Sequence, residues 1–272
     1  MSSFYPKTLE EALAAKSENP NLVPYVGGTD WMVTRSENTP LLFLGYIPSL
    51  REINATKDEI VIGSCCTYTQ LLESDVVPAF LKQSVIEVAS PAIRNLGTLG
   101  GNICNASPAG DTLPVLYTLN ARVRLASVNG TRDIPLCSFI QGVRKIDLKP
   151  DELLESIIIP RHTLTRTYYK KVGARSAVAI AKASFAAGMS VHDGVVTSIP
   201  ISFGSVSVTV VRRPEIEAML IGKTPAEIRS MKDAIVSMYE PYVRPIDDQR
   251  STAEYRKKVC LSLLDDFLSQ ED

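Results

Sequence analysis

SPAIRNLGTLGGNICNASPAGDTLPVL, residues Ser90 to Leu116, is the stretch on which the reading of this chain turns. It sets a glycine pair, Gly100 and Gly101, and an isolated Asp111 among small hydroxyl and amide residues, between two apolar runs. Such a pair opens backbone conformations closed to other residues and lets a ligand approach the main chain closely. Thr98, Asn102, Asn105 and Ser107 add polar groups with little bulk. A second loop of this kind, YVGGTDW, runs from Tyr25 to Trp31. Two small-residue loops, each after an apolar stretch, predict one extended phosphate-bearing ligand held from two sides, with backbone N–H groups as oxyanion donors. There is no GxxxxGK[ST], which excludes a P-loop, and no GxGxxG after the first strand, which argues against a Rossmann dinucleotide site.

The rest of the composition narrows the classes. A chain of 272 residues with 45% apolar and 22% charged residues has enough material for a real core and for more than one domain. Its formal net charge of -1 argues against nucleic acid or an anionic membrane as partner. The N-terminus lacks the basic-then-apolar pattern of a secretory signal, and no stretch reaches the roughly 18 apolar residues of a membrane span. A cytoplasmic protein is expected. The five cysteines (Cys65, Cys66, Cys104, Cys137, Cys260) form no CxxC pair and read as reduced, mostly apolar residues. Cys65 and Cys66 are expected in a strand, facing opposite sides. The two histidines, His162 and His192, lie far from any carboxylate-rich cluster, so neither a metal site nor a Ser-His-Asp hydrolase is expected.

Along the chain, Thr8 and Glu11 have capping-box spacing before an apolar stripe, predicting a helix from about Leu9 to Ser17. Leu22 to Val26 and Leu41 to Gly45 read as short strands of a small βαβ layer. A strand from Glu59, a helical period over Val76 to Ala89 and a helix start near Pro114 follow. Asn129-Gly130 marks a hairpin between Ala121–Ala126 and Thr131–Ile134. Glu155 to Pro160 is β-rich. A third zone opens near Thr163, with strands over Thr165–Val172, Ala177–Val191 and Val195–Val208 and a turn at His192-Asp193-Gly194. The tail reads as helices over Pro214–Leu220, Pro225–Tyr239 and Ala253–Leu268.

Five blocks carry a family resemblance: VGGTDW (Val26 to Trp31), IRNLGTLGGNI (Ile93 to Ile103), ASPAGDTLPVL (Ala106 to Leu116), DELLESIIIP (Asp151 to Pro160) and YKKVGARSAVAIAKAS (Tyr169 to Ser184). In order and spacing the chain resembles the FAD-binding medium subunits of the molybdenum hydroxylases, of the xanthine, carbon monoxide and nicotinate dehydrogenase types. The resemblance implies an α+β fold: a two-part FAD-binding domain of the vanillyl-alcohol-oxidase/MurB-like type, residues 1–55 and 56–165, then a C-terminal α+β domain, 166–272, with a small antiparallel sheet and helices.

It also implies site roles. Val23, Pro24, Tyr25, Val26, Gly27, Gly28, Thr29 and Asp30 look like the first diphosphate loop, and Thr98, Leu99, Gly100, Gly101 and Asn102 the second. Asp111 is placed like a carboxylate near the adenosine ribose, and Leu154 and Lys171 like contacts of the flavin ring. Lys171 would face the N1/C2 edge of the flavin, or else form a solvated basic edge with Lys170 and Arg175. Noncovalent FAD would be the cofactor, with NAD as the usual acceptor. Molybdopterin and a 2Fe-2S cluster would reside in a large and a small partner subunit of a higher-order heteromer. The chain itself would carry no catalytic group beyond the flavin and no metal. Trp31 departs from the family, which commonly has a smaller aliphatic residue there; it would cover part of the cofactor or fill a subunit interface. A stand-alone flavin oxidase and a cofactor-free assembly module are the alternatives. Both are weakened, the first by the scarcity of histidine and the second by the intact glycine loops.

Overall fold

The computed structural model describes residues 3–34, 38–161 and 164–270. His162 and Thr163, the expected start of the third zone, lie outside the described residues. The chain divides into two units: residues 1–78, 89–107 and 120–161 form the first, and residues 79–88, 108–119 and 162–272 the second.

Unit 1 begins with α1 (Leu9–Glu18), capped by Thr8, whose Oγ1 accepts from the Glu11 N–H; the Glu11 carboxylate accepts from the Lys7 N–H, one residue before the position a capping box would use. Ala12 and Leu13 are buried, and Lys16 ties off the helix end by donating to the carbonyls of Pro20 and Leu22 at 2.7 Å each. β1 (Val23–Tyr25) runs parallel to β2 (Leu41–Phe43), with the short α2 (Trp31–Thr34) between them, so the βαβ layer forms. β3 (Ile53–Ala55), β4 (Glu59–Gly63) and α3 (Tyr68–Glu73) follow. Cys65 and Cys66 lie in the turn after β4 rather than in a strand; both are buried, and burial pushes their thiols up to about 12 and about 11. α4 (Ala79–Ile86) belongs to unit 2, α5 (Pro91–Arg94) and α6 (Leu99–Asn105) to unit 1, and α7 (Leu113–Thr118) again to unit 2.

The hairpin of β5 (Arg122–Ser127) and β6 (Gly130–Pro135) turns at Asn129-Gly130, where Gly130 takes φ 123°. After α8 (Leu136–Phe139), β7 (Ile140–Gly142) and β8 (Lys145–Ile146) make a small hairpin, and β9 (Leu153–Pro160) completes an antiparallel sheet in the order β3-β4-β9-β5-β6. β9 is the central strand, which explains why its Ile157, Ile158 and Ile159 are buried on both faces. Arg132 of β6 grips the segment that leads into it: its guanidinium meets both Glu152 oxygens at 2.7 and 2.8 Å and the Asp147 carboxylate at 2.8 Å.

Unit 2 is built on an antiparallel sheet of β10 (Arg166–Val172), β11 (Ala183–His192), β13 (Ile201–Gly204) and β14 (Val211–Arg212), with β12 (Val195–Ser198) paired to β11. Phe185, Phe203, Phe267 and Tyr239 interlock beneath it with ring centroids 5.1 to 6.1 Å apart, each burial contributing roughly 2–3 kcal/mol. The helices α9 (Pro214–Ala218), α10 (Pro225–Ser230), α11 (Lys232–Tyr239) and α12 (Ala253–Ser269) supply the other half of that core. α4 packs on β10 and α7 on β11 and β13.

Three elements differ from the sequence reading. Residues 177–182, expected to open the strand Ala177–Val191, belong to a loop over 173–182; the run expected over Val195–Val208 is divided at Pro200 into β12 and β13 and ends at Gly204; and Pro225–Tyr239 is two helices, broken at Met231 with φ −97° and ψ 4°.

Candidate functional site

The first glycine loop leaves β1 at Val26 and folds against the segment before α6. At Gly27 a Cβ would lie 1.8 Å from the Leu96 carbonyl oxygen, so only glycine allows this approach. Gly28 has φ 65°, the left-handed region, and its missing Cβ leaves space that the Tyr25 hydroxyl fills. Among the described residues no protein acceptor meets the N–H groups of Val26, Gly27, Gly28, Thr29 or Asp30. A half-buried run of unpaired amides is costly unless a ligand or water satisfies it, and successive amides around a left-handed residue form an anion-binding nest. Trp31 packs edge-on against Tyr25 at 5.6 Å, and Tyr25 in turn against Phe43 at 5.0 Å, so the loop rests on an aromatic floor.

The second loop is organised differently. Thr98 caps α6, its Oγ1 accepting from the Gly101 N–H at 3.1 Å. The Leu99 N–H donates to the Cys66 carbonyl, the Gly100 N–H to the Ser64 carbonyl, and the Asn102 N–H to the Thr98 carbonyl. The amides of the first turn are therefore engaged within the fold. The two glycines serve different ends. A Cβ on Gly100 would meet Ser64 O at 2.5 Å, whereas one on Gly101 would meet only Thr98 Oγ1 at 3.0 Å. Gly100 is a packing glycine, buried where α6 crosses the turn after β4; Gly101 is the exposed one. Leu154 lies in β9 opposite Leu125, 6% exposed.

In unit 2, Lys171 and Asp111 are joined. Lys171 Nζ donates to Asp111 Oδ2 at 2.7 Å and to the Glu87 carbonyl at 2.8 Å, and the Tyr169 hydroxyl donates to the Asp111 carbonyl at 3.3 Å. The Lys171 side chain is 4% exposed, so it is no solvated edge, unlike its exposed neighbours Lys170 and Arg175. Asp111 Oδ1 is buried without a partner. Burial pushes the Asp111 carboxyl up to about 6, against the opposing pull of the Lys171 ammonium. One unpaired carboxylate oxygen thus stands beside an ammonium with one N–H left over, a donor and an acceptor side by side away from water. The β10–β11 loop walls a pocket of about 230 Å3 next to this pair, lined by Glu87, Lys171, Gly173, Arg175 and Val178. Arg175 folds back to donate to the carbonyls of Ala177 and Val178, holding Val178 at φ 52°.

Sequence reasoning singled out Asp111 and Lys171 separately and missed what joins them. Tyr169 lies two residues from Lys171 on β10, on the same face of the strand, and that spacing was the available signal. The Leu96, Ser64 and Glu87 carbonyls left no signal, since any residue supplies one. Among the described residues no three His, Cys, Asp or Glu side chains gather as a metal site would require. His192 ends β11, exposed, beside Asp193 of the turn into β12. No helix among the described residues is long and apolar enough to cross a membrane.

Residues 1–162 match the family of the FAD binding domain in molybdopterin dehydrogenase, and residues 167–270 match the CO dehydrogenase flavoprotein C-terminal domain. The chain belongs to the family of FAD-binding medium subunits of the molybdenum hydroxylases, which are oxidoreductases. The glyceraldehyde dehydrogenase medium chain of Sulfolobus acidocaldarius is 30% identical over 260 residues, covering 93% of this chain and 92% of its own length. The nicotinate dehydrogenase FAD-subunit of Eubacterium barkeri is 29% identical, covering 98% and 96%. Among solved structures, reconstituted CO dehydrogenase from Oligotropha carboxidovorans superposes with a TM-score of 0.88 at 27% identity, covering 98% of this chain and 96% of that one. The expected α+β fold, an FAD-binding domain followed by a C-terminal domain with a small antiparallel sheet, is borne out.

Proposed function

We propose that this chain is the electron-transfer subunit of a cytoplasmic molybdenum-containing dehydrogenase. It would receive electrons from a 2Fe-2S small subunit and pass them to NAD or another acceptor, while a molybdopterin-binding large subunit oxidises the substrate. The observation that carries the reading is the run of free amides from Val26 to Asp30, which suits the diphosphate of FAD and has no other use in the fold. When bound, the flavin supplies the exchange between one-electron and two-electron chemistry that links an iron-sulfur donor to a hydride acceptor. The chain's own residues bind and orient. Gly27 and Gly28 shape the nest, and Gly101 leaves its side of α6 open.

Because Asp111 and Lys171 share a hydrogen bond, we assign both to the same end of the ligand, the flavin ring, rather than Asp111 to the adenosine ribose. The remaining Lys171 N–H and Asp111 Oδ1 offer a donor and an acceptor that suit an imide edge, a C=O beside an N–H. Leu154 is the assigned apolar contact of the ring.

The test is purification of the chain with the subunits that accompany it. The expected preparation is yellow, releases FAD on denaturation without covalent residue, contains a molybdopterin and a 2Fe-2S chain, and reduces NAD when given the complex's substrate. A colourless chain that ignores added FAD overturns the reading. Flavin without NAD reduction removes only the acceptor.

A further inference from the structure

Arg144 lies in none of the sequence blocks that carry the family resemblance, yet the fold brings it to the first glycine loop. It occupies the two-residue turn between β7 and β8 at φ 54°, and its N–H donates to the Ala106 carbonyl at 3.1 Å. Ala106 is itself the left-handed residue that ends α6, with φ 45°. The turn is therefore pinned to the far end of the helix that begins at Thr98. From there the side chain reaches Asp30, the last residue of the nest, with Nη2 3.9 Å from Oδ2.

We propose that Arg144 is a phosphate-binding residue of the nest, parked on Asp30 and exchanged to the ligand's diphosphate when it binds. This rests on the FAD reading above. The five amides of Val26 to Asp30 offer partial charges only, whereas a diphosphate brings full negative charge at neutral pH. A guanidinium is the side chain best matched to phosphate oxygens, being planar, permanently charged and able to donate twice. The pairing with Asp30 is weak enough to give up: the side chains are 60% and 54% exposed, and a pair so placed is screened by water. Asp30 then plays two parts. Its amide belongs to the nest, and its carboxylate holds the guanidinium within reach while no phosphate is there.

The test strips flavin from the purified chain, with any subunits that accompany it, and titrates FAD at low and at high salt. Arg144→Gln is expected to fold with an unchanged melting temperature, since the side chain is exposed, and to bind FAD about tenfold more weakly at low salt. The deficit should shrink to about threefold or less at high salt, because the contact is between charges. Asp30→Asn is expected to bind FAD as well as or better than the parent chain. Unchanged low-salt affinity in Arg144→Gln overturns the proposal, as does a deficit that salt leaves untouched, or weakened binding in Asp30→Asn. If the parent chain takes up no FAD, the functional reading fails first; if it does and Arg144→Gln matches it, only this inference falls.

Discussion

The loop Val26–Asp30 and the turn Leu99–Asn102 each carry two adjacent glycines, and they use them in opposite ways. In the first, both glycines let the backbone fold into a tight bowl whose amides face no protein acceptor. In the second, each amide of the turn already has an acceptor within the fold, and Gly100 lets α6 press against Ser64. One pair shapes the nest to which we assign the diphosphate; the other makes the scaffold that the nest leans on, since Gly27 abuts Leu96 just before that turn. A glycine pair near a cofactor is thus not evidence of contact until the fate of its N–H groups is known.

Substitutions can break this contrast. The largest effect is expected at Gly27→Ala, whose Cβ would sit 1.8 Å from a backbone oxygen; neither backbone can yield cheaply. A loss of at least about 3 kcal/mol in denaturant unfolding, with FAD absent from the purified chain, is expected. Gly100→Ala meets Ser64 atoms at 2.5 to 2.9 Å and should cost about 2–3 kcal/mol whether or not FAD is added. If that variant is as stable as the parent, the packing role assigned to Gly100 is wrong.

The pair in unit 2 gives a test of similar size through pH. The Asp111 carboxyl is raised from 3.8 to about 6, so the folded chain holds its proton more tightly than the unfolded one. Its contribution to stability is complete below about 3.8 and is lost as pH rises to about 6. The stability of the parent chain minus that of Asp111→Asn should fall by on the order of 2–3 kcal/mol across that window and stay level above it. A difference that is flat with pH would show that Asp111 is not held as described. The smallest effect belongs to Gly101→Ala, which meets only one hydroxyl oxygen and gains helix propensity; stability within about 1 kcal/mol of the parent is expected. Gly101→Val should be no more than about 1 kcal/mol less stable than Gly101→Ala, since β-branching is mildly unfavourable in a helix, yet hold less FAD.

Much of this architecture was legible because its signals are local. Thr8 with Glu11, Asn129-Gly130 and the buried run of β9 each state their structure within a few residues. The failures are equally specific. The stretch from Ala177 looks like a strand by its alternating small apolar residues, but Arg175 captures two carbonyls there and Val178 takes a conformation no strand contains. Met231 interrupts a helical pattern without a glycine or proline to announce it. Within the site, the two glycine pairs read alike because amide partners are decided by tertiary contacts. The Asp111–Lys171 bond spans 60 residues of sequence and could be seen only in the fold.

The partition of the chain has a consequence for its synthesis. Helices α4 and α7 belong to unit 2 but are encoded amid unit 1, well ahead of the strands they pack on. The two helices carry the buried Phe80, Leu81, Val85, Val115 and Leu116, and they pack on β10, β11 and β13 as well as on each other. At ordinary translation speeds these side chains leave the ribosome on the order of ten seconds before their partners do. The chain is thus synthesised with two apolar helices ahead of the strands they pack on. By the same token, a fragment starting at residue 167 would lack both helices and expose the parts of β10, β11 and β13 on which they pack.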